Sequence, residues 1–375
     1  MTTTEQPLVS IVTPVYNGAL YIRECIESVL AQTYSNWEYT IVNNCSTDET
    51  LKIIEEYLNK DNRIHVYNND KFLDIIANHN RAFRLISPNS KYCKDVSADD
   101  WLFPECLARM VSVAEANPSV GIVGSYQLSG GGTNWRDWRI KWAELPYPST
   151  VIPGREICRM QLLRGPYVFG TPTSLLYRSD LLKTQENFYP NSTPHADVSA
   201  CYKCLQHTDF GFVHQVLSYE RIHGDAISTR CRSLSTHDPS FLCDLMEYGP
   251  SYLTPGELAN SLQETLNTYY EHLAASVFHS HNSEFWKYHM GRLKESGHPF
   301  SYIKFGKVVI AKILDLMGNP KQTVEKMLGR ESSRSQATSM SGRGSINENA
   351  SVEGNNQCQS PARGVTSSVV AERRS

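Results

Sequence analysis

Two adjacent carboxylates are the first feature of this sequence that could do chemistry. Asp99 and Asp100 stand in the run Ser97-Ala-Asp-Asp-Trp-Leu102, after an apolar segment and before a segment that Pro104 opens. Neighbouring carboxylates repel each other unless a cation or a hydrogen-bond donor lies between them. Hard divalent cations such as Mg²⁺ and Mn²⁺ bind through one or two carboxylates together with substrate phosphates. The pair therefore indicates a divalent metal beside a phosphate, and capping of the following helix is the alternative.

The segments that would position these acids alternate between strand and helix patterns. Short apolar runs at 8–13, 37–42, 63–67, 92–96 and 120–126 predict strands, and apolar residues repeat at helical spacing between them. Ser46 and Glu49 have the spacing of a capping box, which predicts the start of the second helix there. Strands that alternate with helices predict a doubly wound, mostly parallel α/β sheet, which binds ligands at the carboxyl ends of its strands. The polar residues at these ends are Asn17, Asn43, Asn44, Asp99 and Asp100.

The alternation weakens beyond residue 129. The segment 130–147 is rich in Gly, Trp and Arg and predicts a long loop or a hairpin. Its aromatic and basic residues would suit a sugar platform or a phosphate clamp, with packing of the hairpin on the domain as the alternative. Further strands are predicted at 170–178 and 210–222, and helices from 255 to about 328. The residues of the hairpin in question are Trp135, Arg136, Trp138, Arg139 and Trp142.

Composition excludes several classes of function. The chain has 375 residues, a formal net charge of −3 and a pI near 6.5, whereas nucleic-acid-binding proteins carry strongly basic surfaces. No apolar run approaches the roughly 20 residues that span a bilayer, and the polar first residues do not predict a secretory signal. The ten cysteines are scattered, which indicates reduced thiols. We expect a cytoplasmic protein, at the inner face of a membrane at most, without a nucleic-acid partner.

Four runs, in this order and at these separations, resemble the family 2 glycosyltransferases. These enzymes have the GT-A fold and bind nucleotide sugars, and the similarity covers roughly residues 7–230. The resemblance implies a GT-A catalytic domain at 1–230, to which the sequence adds a helical region at 231–330 and a Ser-rich, disordered tail at 331–375. The runs are Val9-Ser-Ile-Val-Thr-Pro-Val-Tyr-Asn17, Glu27-Ser-Val-Leu-Ala-Gln-Thr-Tyr34, Val42-Asn-Asn-Cys-Ser-Thr-Asp-Glu-Thr50 and Ser97-Ala-Asp-Asp100.

The resemblance also implies an activity. It is inverting transfer of a sugar from a nucleoside-diphosphate sugar, such as a UDP-sugar, to an acceptor hydroxyl, with Mg²⁺ or Mn²⁺ as cofactor. By family analogy the acceptor is a glycan or a lipid-linked glycan in polysaccharide or lipopolysaccharide synthesis. The alternatives are a catalytically silent nucleotide- or glycan-binding scaffold of the same fold and a nucleotidyltransferase. The last ranks lowest because no glycine- and lysine-rich phosphate loop lies near the first strand.

Roles in nucleotide binding follow from the matching positions. Pro14, Tyr16 and Asn17 would line the nucleotide pocket. Asn44 stands where the family often has an acid that contacts the base, and an amide still offers a carbonyl and two donors. Asn43 would contact the ligand or form an Asx turn. In the acidic pair, the first carboxylate, Asp99, would meet the ribose and the second, Asp100, the metal.

Two further residues complete the implied site. In the run Pro194-His-Ala-Asp-Val198, Asp197 matches the general base that takes the proton of the acceptor hydroxyl. The same residue would also suit the start of a helix. His223 ends the last predicted strand and matches a metal ligand or a phosphate donor, with an ordinary hydrogen-bonded histidine as the alternative.

One helix of the C-terminal region is amphipathic. Residues 301–315 carry an apolar face with lysines on its flanks. The apolar residues are Ile303, Val309, Ile310, Ile313 and Leu314, and the lysines are Lys304, Lys307 and Lys312. This face would pack on the catalytic domain or on a second subunit, which leaves a homodimer open, rather than lie in a membrane interface.

Overall fold

The computed structural model describes residues 6–131, 135–147, 149–190, 194–278 and 283–318. In this part of the chain, ten strands form one sheet with the order β3-β2-β1-β4-β9-β6-β10-β5, while β7 pairs with β6 and β8 with β10. The strands are β1 (Val9–Val15), β2 (Trp37–Asn43), β3 (Ile64–Asn68), β4 (Tyr92–Asp95), β5 (Trp101–Leu102), β6 (Val120–Gly130), β7 (Arg139–Lys141), β8 (Val151–Ile152), β9 (Leu175–Arg178) and β10 (Asp209–Arg221).

Helices cover both faces of the sheet and continue past its last strand. In chain order they are α1 (Ile22–Leu30), α2 (Thr50–Leu58), α3 (Ile75–Phe83), α4 (Cys106–Ala116), α5 (Gly154–Leu162), α6 (Ser179–Lys183), α7 (Ala196–Cys204), α8 (Ile227–Ser233), α9 (His237–Tyr252), α10 (Pro255–Ser276), α11 (Ser283–Glu295) and α12 (Tyr302–Gly318). Short 3-10 turns lie at Trp135–Asp137 and Pro172–Ser174.

Most pairing in the sheet is parallel. The pairs β1–β2, β2–β3, β1–β4 and β6–β10 are parallel, and β9 runs antiparallel between β4 and β6. Because β9 is reversed, its beginning and the turn Pro172–Ser174 lie at the edge where β4 and β6 end. The predicted doubly wound, mostly parallel α/β fold is confirmed, as is the helical C-terminal part.

Two apolar cores lie on opposite faces of the sheet. On one face, buried residues of α1, α2 and α4 pack against the strands, among them Ile26, Ile54 and Met110. On the other face, residues of α5, α7 and α9 do so, among them Ile157 and Leu245. Each Å² of apolar surface buried on these two faces stabilises the fold by about 25 cal/mol. The packed sheet therefore provides a fixed base for the loops at its edge.

The predicted capping box at Ser46 and Glu49 is wrong. The second helix begins at Thr50, and the side chain of the preceding Glu49 makes no capping bond. The Ser46 hydroxyl instead accepts from the backbone N–H of Asn17 at 3.0 Å. Asp48 provides the side-chain hydrogen bond at the start of this helix, because its carboxylate accepts from the Thr50 N–H at 3.1 Å.

The predicted hairpin after residue 129 is present, because β7 pairs with β6. Trp142 is 8% exposed and belongs to the apolar core, and the Trp138 ring lies 5.5 Å from that of Tyr219. These two tryptophans therefore pack the hairpin on the domain, which is the alternative that the sequence left open for them.

The apolar face of α12 does not pack on the rest of the described chain, so of the two predicted partners only a second subunit remains a prediction. Ile303, Ile310 and Leu314 are 75%, 59% and 62% exposed. The opposite side of the helix faces α10 and α11, where Phe305 contacts Trp286, and this contact fixes the orientation of the helix. Within the described ranges, no helix is long and apolar enough to cross a membrane. The predicted tail at 331–375 lies outside the described residues.

Candidate active site

The loops after β1 and β2 are tied together by Asn17. This residue has φ +50°, a conformation that Asn tolerates better than most residues. Its side-chain oxygen accepts from the Thr47 N–H at 2.8 Å, and its own N–H donates to Ser46. Gly18 N–H donates to the Thr50 hydroxyl at 2.8 Å. The two loops therefore form one rigid unit at the carboxyl edge of the sheet.

An exposed aromatic pair lies beside this unit. Tyr16 is 49% exposed and Phe72 59% exposed, and their rings meet edge to face at 4.9 Å. Pro14 is buried within β1, opposite Val42. Sequence reasoning missed Phe72, although it follows β3, which ends at the same edge as β1 and β2. The pair offers open aromatic faces of the kind on which a nucleobase stacks.

Asn43 and Asn44 hold the loop that carries Phe72. The Asn44 oxygen accepts from Leu73 N–H and from the Asn69 amide, both at 2.9 Å, and its amide donates to Leu73 O at 2.8 Å. The Asn43 oxygen accepts from Ser46 N–H at 3.2 Å, which is the Asx turn that the sequence left open. Both lone pairs of the Asn44 oxygen are thus engaged within the chain.

Asp100 is a buried carboxylate with two hydrogen bonds. It is 4% exposed, accepts from the Thr173 hydroxyl at 2.6 Å and accepts from the Arg221 N–H at 3.0 Å. Burial, with the negative charges of Asp99 and Glu220, raises the pKa of Asp100 well above its usual range. These bonds also show that Asp100 does not cap the next helix, which begins at Cys106. A cation beside Asp100 would offset its repulsion and its desolvation.

Asp99 is more open than Asp100 and contacts His223. Its side chain is 31% exposed, and its carboxylate lies 2.9 Å from Nε2 of His223. The His223 ring packs beside that of Tyr21 at 4.8 Å. The structure thus brings Asp99, predicted to meet the ribose, to the same edge as Asp100 and His223, predicted to meet the metal. The His223 nitrogen pairs with the Asp99 carboxylate.

Arg221 completes this edge and was missed by sequence reasoning. Its guanidinium donates to Asp99 O at 3.1 Å and to the Glu24 carboxylate at 2.6 Å. The same group lies 4.5 Å from the centre of the Tyr21 ring and 5.1 Å from that of Trp101. Its place two residues before His223 is the signal that could have identified it.

Asp197 lies in the first turn of α7. Burial raises the pKa of Asp197 to about 6, against the opposing effect of backbone N–H groups at the helix start. The charges of His79 and Asp95 also reach this carboxyl, and Asp95 is the last residue of β4. Asp197 therefore lies within electrostatic reach of the end of β4, the strand that leads to Asp99 and Asp100.

The described residues do not form a complete metal cage. Within the ranges that the structure covers, no group of three or more His, Cys, Asp or Glu side chains could hold a metal ion. This arrangement is compatible with a cation that takes one or two protein carboxylates and completes its shell with phosphate oxygens and water.

Comparison with known proteins identifies the family. The sequence model described as Glycosyl transferase family 2 matches residues 10–185, which run from the second residue of β1 past the end of β9 and include the Asp99–Asp100 pair. The segment 10–185 therefore belongs to glycosyl transferase family 2. Asp197 and His223 lie beyond the matched segment, so the family match does not cover them.

Curated relatives of this chain are similar over part of their length. An uncharacterised glycosyltransferase of Haemophilus influenzae is 37% identical over 120 residues, 32% of this chain and 36% of the relative. The putative teichuronic acid biosynthesis glycosyltransferase TuaG of Bacillus subtilis is 32% identical over 129 residues, 34% of this chain and 50% of the relative. The matches thus cover half of these relatives' length or less.

Solved structures show the same fold at low sequence identity. S. aureus TarS 1–349 in complex with UDP-GlcNAc has a TM-score of 0.56 and 16% identity, over 88% of this chain and 92% of that one. Mannosyltransferase PcManGT from Pyrobaculum calidifontis in complex with GDP-Man and Mn²⁺ has a TM-score of 0.50 and 16% identity, over 86% and 84%. These likenesses show the GT-A fold.

Proposed function

We propose that this family 2 member transfers a sugar from a nucleoside-diphosphate sugar, with a UDP-sugar as the first choice, to an acceptor hydroxyl with inversion. The observation that carries the proposal is Asp100, a buried carboxylate at the sheet edge beside two other negative charges. A bound cation would stabilise the ionised form of such a buried carboxylate, whereas without a cation its burial and its repulsion from the neighbouring charges are a cost. TarS with UDP-GlcNAc and PcManGT with GDP-Man and Mn²⁺ support the choice of ligands.

The nucleotide would bind across the carboxyl ends of β1, β2 and β4. Tyr16 and Phe72 offer the base an aromatic surface, and Asn17 fixes the loop beneath it. Asn44 acts here by holding the loop that carries Phe72, and the free donor of its amide remains for a base carbonyl. Asp99, which is partly exposed, faces the ribose.

Asp100 would hold Mg²⁺ or Mn²⁺. The site fits such an ion, because the Asp100 carboxylate supplies hard oxygen ligands and the diphosphate supplies further ones. A bound ion would supply positive charge where the departing diphosphate gains negative charge. His223 holds the Asp99 carboxylate through Nε2, and it remains the second candidate for metal or phosphate binding.

Asp197 would act as the general base. A carboxyl with a pKa of about 6 is ionised at neutral pH and still basic enough to accept the proton of a hydroxyl as it attacks the anomeric carbon. Attack opposite the leaving diphosphate inverts the anomeric centre, and no covalent intermediate with the chain is needed. The helix position of Asp197 orients the carboxylate and leaves this role intact.

The wider setting is proposed by analogy. TuaG is named for teichuronic acid biosynthesis, which supports a glycan or lipid-linked glycan as the acceptor and polysaccharide synthesis as the pathway. We place the reaction in the cytoplasm or at the inner face of the membrane. The catalytic domain would be residues 1–230, followed by the helical region at 231–330, and a homodimer is left open.

Calorimetric titration and a hydrolysis assay test the proposal together. The full chain should bind UDP with Mn²⁺ and hydrolyse one donor of a panel that begins with UDP-GlcNAc and GDP-Man. Asp100→Asn should lower metal-dependent hydrolysis by about 10²-fold or more, because the variant loses the carboxylate that would hold the cation, whose positive charge stabilises the departing diphosphate. Glu55→Gln, on the exposed side of α2, is the matched control. Tight binding of UDP without turnover of any donor and acceptor would instead support the silent scaffold.

A further inference from the structure

Next to Asp100, one short stretch of the sheet carries only polar side chains on one of its faces. In the ladder of β6 with β10, Gln127 is opposite Ser218 and Ser129 is opposite Glu220. Residues two apart on a strand point to the same side, so these four side chains share one face. They are all buried, with exposed fractions of 0% for Gln127 and Ser218, 1% for Ser129 and 6% for Glu220. We call these four residues the polar face.

Three groups of the polar face lack hydrogen-bond partners. Among the described residues, none bonds to the amide nitrogen of Gln127 or to the hydroxyls of Ser129 and Ser218. The Gln127 oxygen accepts from the Thr171 hydroxyl at 2.8 Å, and Glu220 forms an ion pair with Lys141. Each buried polar group without a partner costs about 1–3 kcal/mol, so three in one place are unusual in a protein core.

Backbone strain coincides with this cluster. Thr171, which lies over Gln127, has φ +58°, and Trp142, which follows Lys141, has φ +66°. Left-handed backbone is costly for a β-branched residue and for a bulky one. Gly170 fits only because it lacks a side chain, since a Cβ there would lie 2.4 Å from the Trp142 ring. Strained backbone of this kind clusters at active sites and ligand-binding sites, where the surrounding structure holds it in place.

The polar face lies beside the Asp100 carboxylate. Glu220 is near enough for its charge to raise the pKa of Asp100, and the next residue, Arg221, donates its N–H to that carboxylate. Thr173, two residues after Thr171, bonds the other Asp100 oxygen. If a diphosphate bound at Asp100, the sugar attached to it would therefore lie next to the polar face.

We propose that Gln127, Ser129 and Ser218 form the subsite that recognises the hydroxyl groups of the transferred sugar. An amide donor and two hydroxyls, each of which donates or accepts, match the alternating donors and acceptors of adjacent sugar hydroxyls. A sugar would enter from the side of Lys141, because this side chain is 30% exposed and pairs with Glu220, so that its displacement would open the polar face. The inference rests on the proposed function, and it adds residues that decide which sugar is accepted.

Ser129→Ala and Ser218→Ala test the subsite. Each variant should weaken binding of the nucleotide sugar about 2- to 10-fold, and the double variant about 5- to 100-fold, while binding of the free nucleoside diphosphate stays within twofold. The first probe pair is UDP-GlcNAc and UDP, and the pair follows whichever donor the wild type hydrolyses. The melting temperature should stay equal or rise, because neither hydroxyl makes a bond without ligand.

Ser240→Ala is the matched control. Its hydroxyl on α9 is also buried and without a partner in the described chain, so the control repeats the chemistry away from Asp100. It should change neither affinity. Equal losses for UDP and UDP-GlcNAc, or no loss for either, would overturn the subsite. Normal donor binding and hydrolysis with loss of transfer alone would also overturn it, and would place the acceptor there. A wild type that binds no nucleotide sugar would refute the proposed function itself.

Discussion

The carboxylate of Asp100 and the hydroxyl of Thr173 lie 2.6 Å apart, although 73 positions of sequence separate them. The hydroxyl donates to the carboxylate and also accepts from the Ser97 N–H at 3.1 Å. One small side chain thus joins the segment after β4 to the reversed strand β9. It also opposes the rise in the pKa of Asp100 that burial causes.

We expect Thr173→Val to impair the site through Asp100. The isosteric change removes a donor, so the pKa of Asp100 should rise further and metal-dependent hydrolysis at pH 7 should fall about 10-fold, with partial recovery at higher pH. Stability should fall by about 1–3 kcal/mol because two buried groups lose their partner. Thr265→Val, which removes the partly buried bond that Arg164 donates to the Thr265 hydroxyl on α10, should also lower stability without a change in metal dependence.

The pH profile should report Asp197. A base must be ionised to act, so kcat should rise with pH through about 6 and level off above about pH 7. Asp197→Asn should lower kcat by about 10²- to 10⁴-fold and leave the affinity for UDP unchanged. Stopped assays from pH 5 to 8 would measure both. An Asn variant that keeps the rate and the acidic limb of the wild type would remove Asp197 from the mechanism.

Stability should depend on pH through Asp244. Burial raises the pKa of this carboxyl to about 7, although the Ser199 hydroxyl donates to it at 2.6 Å. A raised pKa means that the folded state holds the proton more tightly than the unfolded state. The contribution of protonated Asp244 to the free energy of unfolding is therefore fully present below about pH 4 and is lost as the pH rises through about 7. Its size is on the order of 2–4 kcal/mol.

Asp244→Asn should flatten this dependence in urea titrations between pH 4 and 8. Asp61 gives the opposite control, since its bonds with Arg63 lower the pKa of its carboxyl. Asp61→Asn should lose stability at pH 7, where Asp244→Asn should be neutral or gain it. Parallel pH curves for wild type and Asp244→Asn would show that the Asp244 carboxyl does not titrate in this range.

The exposed face of α12 should tolerate charge. Because Ile310 and Leu314 are mostly exposed, replacing both with Glu should change the free energy of unfolding of one chain by no more than about 0.5 kcal/mol. Leu273→Ala, in the small core of the helical region, should cost about 2–5 kcal/mol. A large loss for the double Glu variant at low protein concentration would mean that the face is covered within the chain.

The parts of the site that the sequence predicts are those set by local chemistry. Asp99, Asp100 and Asn17 follow buried strands, and polar residues after parallel strands meet at one edge in any doubly wound sheet. The class of fold follows from the same alternation. Both predictions need only neighbouring residues and a rule of topology.

The remaining parts depend on contacts between distant segments. Thr173 comes from a strand that runs against its neighbours, and the polar face exists only because β6 and β10 pair in one register. Asn44 was predicted to meet the base, but a returning loop takes its oxygen through Leu73 and Asn69. For α12, the apolar pattern locates a face and does not say what covers it.

The bonds that close the acidic site also set the order in which it can form. Arg221 N–H reaches the Asp100 carboxylate across 121 positions, and His223 reaches Asp99 across 124. A ribosome adds about 10 residues per second, so roughly 10 s separate the synthesis of Asp100 from that of its last partner. Throughout that interval the nascent chain has two adjacent acids with no partner from β10. A chain truncated before β10 would therefore have the loops after β1 and β2, but its Asp99 and Asp100 would lack the bonds from His223 and Arg221.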